Sequence, residues 1–97
     1  MMRIESGNYS VGMFHPLWGL NEPGKGAFRD GVTFSRPFEE PPEVIIAISG
    51  LDIRNEYPAS VTAEVERVAG DGFRLRLSTG QGGVEKVTLS WVAVGAA

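Results

Sequence analysis

The feature that most constrains the fold is a short apolar run, residues 44–48, that follows Pro41-Pro42 almost directly. Because proline has no N–H to donate and restricts the residue before it, the diproline ends one element and passes an extended chain to the next. The run is rich in β-branched residues, too short for a helix and closed by Gly50, so it predicts a strand buried on both faces. Small antiparallel sheets usually expose one face to water. We therefore expect this strand to be covered by a second sheet and a loop, or by another copy of the chain.

The length and charge of the chain limit its function. Its 97 residues predict one domain, 1–97, and a net charge of −3 argues against a nucleic-acid partner. No apolar run approaches the ~20 residues of a membrane span, so no membrane insertion is expected. The first ten residues lack the apolar region of a signal peptide, which favours a protein that is cytoplasmic, released by lysis or virion-associated.

The first third of the chain predicts two strands and a loop. Residues 1–10 can form one strand, and residues 32–35 a second, short one. Residues 11–31 mix large apolar side chains with five glycines and two prolines, which is typical of an irregular loop over a core. A loop of this length in a compact domain usually has a function.

The segment from residue 58 to residue 77 fits either a helix or a hairpin. Three valines have helical spacing, but apolar and polar residues also alternate before and after residues 69–71. A hairpin around those three residues aligns both faces at once, which one helix does not explain. Its expected cross-strand pairs are Glu66 with Arg74, Glu64 with Arg76, Val65 with Leu75, and Ala63 with Leu77.

The end of the chain completes an all-β pattern. A glycine-rich loop, residues 79–83, leads to a last strand with alternating apolar and polar residues. The residues expected to point inward are Val87, Leu89, Trp91 and Ala93. Short strands separated by Gly and Pro turns, without a convincing amphipathic helix, predict a β-sandwich or barrel.

Motifs for catalysis or metal binding are weak. Residues 19–26 approach a phosphate-binding loop but lack its Ser or Thr and follow no apolar strand. His15 is the only histidine and there is no cysteine, so a zinc site would lack ligands. No nucleophile lies in a recognisable elbow motif. We therefore expect no catalytic residue, no metal and no cofactor, and a binding or assembly module rather than an enzyme.

Aromatic residues are the candidates for stacking on a sugar ring. A small-ligand site needs such an apolar surface beside a few converging polar groups. Trp91 is expected in the core, whereas Trp18 lies in the long loop and stays open to either role. Tyr9 and Tyr57 complete the set.

Several segments, in order along the whole chain, resemble the H-type lectins, the family of the snail agglutinins and the discoidin C-terminal domain. The matching segments are residues 4–7, 32–34, 37–38, 41–42, 50–52, 72–73 and 89–93. The resemblance implies a six-stranded antiparallel β-sandwich that assembles as a homotrimer, sometimes stacked into a hexamer. It also implies binding of galactose or N-acetylgalactosamine in clefts between protomers. A trimer would supply the missing cover for residues 44–48.

The resemblance also places a sugar site, at which this sequence departs from the agglutinins. Their arginine before the hairpin falls on Ser60, and their Trp-His pair falls on Gly80 and Gln81. Their Pro-Gly-x-Asp stretch, given by a neighbouring chain, reads as residues 23–26 and loses its acid. The candidate sugar-binding residues are Gly24, Lys25, Gly26, Ser60, Thr79, Gly80, Gln81 and Trp18. Polar residues left to serve another glycan, for example an anionic one, are Arg54, Lys25, Gln81 and Thr79.

Two functions follow from these patterns. The first is a lectin-like module that binds cell-surface glycan and gains affinity through several sites per trimer. The second is a trimeric structural component of a fibre, spike or other particle that has kept the sandwich and lost the sugar site.

Overall fold

The computed structural model describes residues 1–54 and 59–97, and over these residues it contains six strands and no helix. The strands are β1 (Met2–Gly12), β2 (Gly26–Thr33), β3 (Glu43–Ile53), β4 (Thr62–Ala69), β5 (Gly72–Thr79) and β6 (Val84–Ala96). The all-β, six-stranded prediction is confirmed. Within the described ranges, no helix is long and apolar enough to cross a membrane.

The strands form two antiparallel sheets of three strands each. Their orders are β1-β6-β3 and β2-β5-β4, so β6 and β5 are the central strands. Along both central strands, buried apolar residues alternate with more exposed ones, and the buried faces of the two sheets form one core. The inward positions predicted on β6 are confirmed, since all four are at most 6% exposed.

An aromatic cluster lies at one end of this core. Phe34 contacts Phe38, Phe73 and Trp91, with ring centroids 5.0, 6.0 and 5.8 Å apart. Rings at such distances and tilted angles add roughly 0.5–1.5 kcal/mol per pair beyond their burial. Gly7 on β1 lies against the Trp91 ring, where a Cβ would come within 2.7 Å of the indole. The close approach of β1 therefore depends on glycine there.

Strand β3 contains the apolar run at residues 44–48 and is longer than predicted. Val44 and Ile46 pack against the core, but Ile45 is 67% exposed and Ala47 is also exposed. The expectation of burial on both faces is thus wrong for the single chain. β3 is an edge strand, and the second sheet covers only its inner face.

The boundaries predicted between residues 11 and 35 are corrected by the structure. β1 continues to Gly12 and β2 begins at Gly26, so only residues 13–25 form the irregular loop, and the short strand expected at 32–35 is the end of β2. Two glycines and an aspartate give residues 26–33 a low intrinsic strand preference. Pairing with β5 over the full length of β2, with Phe28 buried beneath, overrides that preference.

The hairpin of β4 and β5 is confirmed, with one correction. Its predicted pairs hold at Ala63, Glu64 and Val65, but a bulge after Val65 shifts the register. Arg67, not Glu66, therefore lies opposite Arg74. A bulge places two residues against one and leaves no clear mark in an alternating sequence.

Candidate functional site

All but one of the candidate residues meet at one end of the sandwich. Gly26 pairs with Thr79 across β2 and β5, and the Gly24 N–H donates to the Gln81 carbonyl at 3.1 Å. The Gly80 N–H donates to the Ser60 hydroxyl at 3.3 Å. These contacts bring the residues together within one chain. The expectation that residues 23–26 come from a neighbouring chain stays a prediction.

Thr79 holds the loop that follows β5. Its side chain is buried, and its hydroxyl accepts hydrogen bonds from the N–H groups of Gln81, at 3.3 Å, and Gly82, at 3.0 Å. Such a hydroxyl-to-backbone turn fixes the loop locally. Thr79 is therefore a positioning residue, and Gly80 and Gln81 are the exposed residues that it positions.

Gly82 packs this loop against the segment before β2. Its φ of +83° favours glycine, and a Cβ added there would collide with the Glu22 carbonyl. The Val84 N–H donates to the Leu20 carbonyl, and the Arg54 N–H donates to the Gly83 carbonyl, both at 2.9 Å. Backbone contacts therefore fix the loop in place, and they explain its glycine content.

A shallow cleft of about 500 Å³ opens beside this loop. Its lining consists of Lys25, Gly26, Ala27, Arg76, Ser78, Thr79 and Gly80. Arg76 donates through Nη1 to Glu64 at 2.9 Å, while its buried Nε has no partner among the described residues. The cleft thus combines two cations, a hydroxyl and loop backbone, groups that bind sugar hydroxyls or an acidic substituent.

Arg76 and Ser78 are the polar lining residues that the sequence interpretation missed. Alternation had already placed them on the outer face of β5, beside the inward Leu77 and Thr79. They lie near Lys25 because Gly26 pairs with Thr79, and this pairing exists only if the segment after Lys25 forms strand β2. Because residues 26–31 were interpreted as loop, no signal connected the two segments.

Trp18, the remaining candidate, does not lie in the cleft. It is 8% exposed, its indole Nε1 donates to the Val84 carbonyl at 2.9 Å, and its ring contacts Phe28. Of the two roles left open for Trp18, this placement favours the core. Trp91 is a core residue as expected, and Tyr57 lies outside the described residues.

His15 has a local structural role. Its Nδ1 accepts a hydrogen bond from the Leu17 N–H at 3.1 Å, and its ring meets Phe28 edge to face. Across residues 1–54 and 59–97, no group of three or more histidine, aspartate or glutamate side chains is arranged to hold a metal ion.

Charged residues on the inner side of β1 join the two sheets. The Tyr9 hydroxyl donates to Asp30 at 2.6 Å, and Glu5 accepts from the Ser35 N–H at 2.9 Å, from the Ser35 hydroxyl at 2.8 Å and from Arg3 at 2.6 Å. Burial raises the pKa of Tyr9 well above its usual value, and the bond to Asp30 adds to the shift. Partial burial by itself would raise the pKa values of Glu5 and Asp30. Their hydrogen bonds and nearby cations outweigh this effect and hold both pKa values below their usual range.

The structure is similar to two solved structures of discoidin II. The structure of wild-type discoidin II from Dictyostelium discoideum matches with a TM-score of 0.80 and 24% identity over 100% of this chain and 38% of that chain. The native structure of recombinant discoidin II matches with a TM-score of 0.78 and 25% identity, over 96% of this chain and 36% of that one. The chain thus spans little more than a third of the discoidin II chain.

Comparison with family models gives the assignment. A search of curated proteins found no match. The model of the H-type lectin domain, in contrast, matches residues 30–94, which is more than half of the chain and includes β3 to β5 and most of β6. The resemblance inferred from the sequence is confirmed, and the chain belongs to the H-type lectin domain family.

Proposed function

We propose that this domain is a carbohydrate-binding module whose glycan site is the cleft at the end of β2 and β5. The observation that carries this proposal is the convergence of Lys25, Gly80, Arg76 and Ser78 on one open cleft, in a chain of a lectin family. The cleft volume lies within the range of roughly 300–1,000 Å³ that is usual for small-ligand sites.

The chemistry of the cleft supports a specificity different from that for N-acetylgalactosamine. Among the described residues no aromatic ring lines the cleft, and Ser60, Gly80 and Gln81 stand where the resemblance expects an arginine and a Trp-His pair. Recognition then depends on hydrogen bonds and charge rather than on stacking. Such a site is expected to bind one sugar weakly, so that several linked sites are needed for useful avidity.

An exposed apolar surface supports multivalency through a homotrimer, which can stack into a hexamer. On the outer face of the β1-β6-β3 sheet, Ile4 is 70% exposed, Ile45 67% and Val92 38%. Ile45 lies directly opposite Val92, so they form a continuous patch. Soluble proteins rarely leave large patches of this kind uncovered, and sister copies related by symmetry are the proposed cover.

A second candidate function is a trimeric structural component of a fibre, spike or particle. The observation in its favour is the burial of Trp18, which removes this indole as a stacking surface for the cleft. In either role we propose binding or assembly rather than catalysis, and a protein that is cytoplasmic, or that is released or virion-associated.

A glycan array with the purified protein tests the proposed function. We expect binding to a restricted set of glycans and its loss in Lys25→Ala and Gln81→Ala, since these exposed side chains border the cleft loop. Lys86→Ala is the matched control, because Lys86 is an exposed lysine on β6 that does not line the cleft. Silence across a broad array from a stable trimer would favour the structural role instead.

A further inference from the structure

The outer face of the β2-β5-β4 sheet is strongly basic in an otherwise acidic chain. Four of the seven arginines lie on it: Arg29 on β2, Arg67 on β4, and Arg74 and Arg76 on β5. On β5, residues alternate between the two faces of the sheet. Arg74 and Arg76 therefore lie on the outer face, because Phe73, Leu75 and Leu77 occupy the opposite face in the core. The whole chain, in contrast, has a net charge of −3.

Two pairs of arginines lie directly opposite each other on this face. Arg29 pairs with Arg76 across β2 and β5, and Arg67 pairs with Arg74 across β4 and β5. Like charges directly opposite across strands destabilise a sheet. Each pair therefore needs acidic neighbours to offset this cost, unless the positive charge has a use.

The acids on this face neutralise only the first pair. Glu66 accepts from Arg29 at 2.9 Å, and Glu64 accepts from Arg76 at 2.9 Å. Because of the bulge after Val65, the residue opposite Arg74 is Arg67 and not an acid.

The second pair is not neutralised in the same way. In the part of the chain that the structure describes, neither Arg67 nor Arg74 forms a salt bridge. Asp30 and Asp71 line an adjoining hollow of about 430 Å³ with both arginines and reduce the positive charge there, but neither carboxylate lies within salt-bridge distance of Arg67 or Arg74. Arg67 and Arg74 are both exposed and line an open hollow of about 270 Å³ with Glu66. Guanidinium groups bind planar or tetrahedral anions in two-pronged fashion, and two adjacent ones form a site for such a group.

We propose that this face binds an acidic polysaccharide, with a sulfate or carboxylate group held between Arg67 and Arg74. The cations continue along β5 to Arg76 and on to Lys25, which suits a polymer with repeated acidic groups better than a single small anion. A single-stranded nucleic acid is disfavoured, because the outer positions of these strands carry no aromatic residue for base stacking. Arg67 and Arg74 do not line the end cleft, so a polysaccharide held here needs no sugar in the cleft.

Binding to immobilised heparin, a sulfated polysaccharide, tests this site. We expect the unmodified protein to bind heparin but not neutral dextran, and to bind more weakly as salt is raised, because the Debye length falls to about 10 Å at 0.1 M. Arg67→Glu is expected to weaken heparin binding by roughly tenfold or more. The same variant is expected to keep or raise the thermal stability, because the new carboxylate faces Arg74. Loss of binding through misfolding is thereby distinguished from loss of the site.

Arg36→Glu is the matched control, since it makes the same charge change at an exposed arginine outside the strands. Equal weakening by both variants, absence of heparin binding, or equally tight binding of a double-stranded DNA fragment would each overturn the assignment. The cleft variants Lys25→Ala and Gln81→Ala, tested on the glycan array, report separately on the proposed function. If the protein binds heparin but no glycan on the array, the proposed glycan site in the cleft is rejected and the arginine site is not.

Discussion

Tyr9 on β1 donates a hydrogen bond of 2.6 Å to Asp30 on β2, and this contact joins the edge strands of the two sheets. The sheets share no backbone pairing, so side-chain contacts of this kind fix one sheet against the other along this side. Asp30 also accepts from the Gly31 N–H at 2.8 Å, which orients its carboxylate toward the tyrosine.

Removal of the Tyr9 hydroxyl is expected to destabilise the fold. Tyr9→Phe keeps the ring, which packs against the core, and leaves one oxygen of Asp30 without its protein donor. A hydrogen bond to a charged group is worth ~1–3 kcal/mol, so the free energy of unfolding in urea should fall by that amount. An unchanged urea midpoint for Tyr9→Phe would mean that solvent replaces this bond without cost.

Stability is expected to fall as the pH is lowered through the acid range. Glu5 and Asp30 have folded-state pKa values below their ordinary values of 4.5 and 3.8. The unfolded chain therefore binds more protons in acid, and the stabilisation that is complete above about pH 5 is lost progressively below it. Urea denaturation between pH 3 and pH 7 measures this loss. Glu5→Gln with Asp30→Asn should flatten the profile, whereas Glu39→Gln, at an exposed position, should leave its slope nearly unchanged.

The sequence predicted those parts of the fold in which burial alternates regularly. The inward residues of β6 and most of the pairs between β4 and β5 follow from period-two patterns that the core imposes. Most of strand β2, residues 26–31, was missed because Gly26, Asp30 and Gly31 disfavour a strand locally, and only pairing with β5 makes it one. The bulge after Val65 was missed for a similar reason, since it depends on how the sheets fit together.

The candidate site was predictable in its loops but not in its strands. Gly24 and Gln81 were identified through the resemblance, and the structure joins them by a backbone hydrogen bond. Arg76 was not predicted as a site residue, because it lies beside Lys25 only through the register of β2 against β5. Trp18 was ambiguous, since a tryptophan in a long loop can point either way until its indole N–H finds a partner, here the Val84 carbonyl.

A side chain at Gly82 is expected to displace the cleft loop. Gly82→Ala would place a methyl group against the Glu22 carbonyl and would force alanine to a φ of +83°. A residue other than glycine in this left-handed backbone region lowers the free energy of unfolding by about 1–3 kcal/mol. The melting temperature should therefore fall, and glycan binding should be lost. Gly80→Ala is the matched control for the melting temperature, because among the described residues its methyl group would meet only the Ser60 hydroxyl, at 3.8 Å. Equal melting temperatures for the two variants would show that the loop accommodates the methyl group at residue 82 without loss of stability.

A charge in the apolar patch of the β1-β6-β3 sheet is expected to prevent self-assembly. Sedimentation at micromolar concentration should give a trimer or a hexamer for the unmodified protein and a folded monomer for Ile45→Glu, because a carboxylate would be desolvated without a partner in the proposed interface. Ile45 is 67% exposed in the single chain, so the substitution disturbs little of the core. Thr33→Glu places the same charge on an exposed position of the other sheet and should leave the assembly intact. An unmodified protein that sediments as a monomer would contradict the proposed trimer, and unchanged assembly of Ile45→Glu would place the contact elsewhere on the molecule.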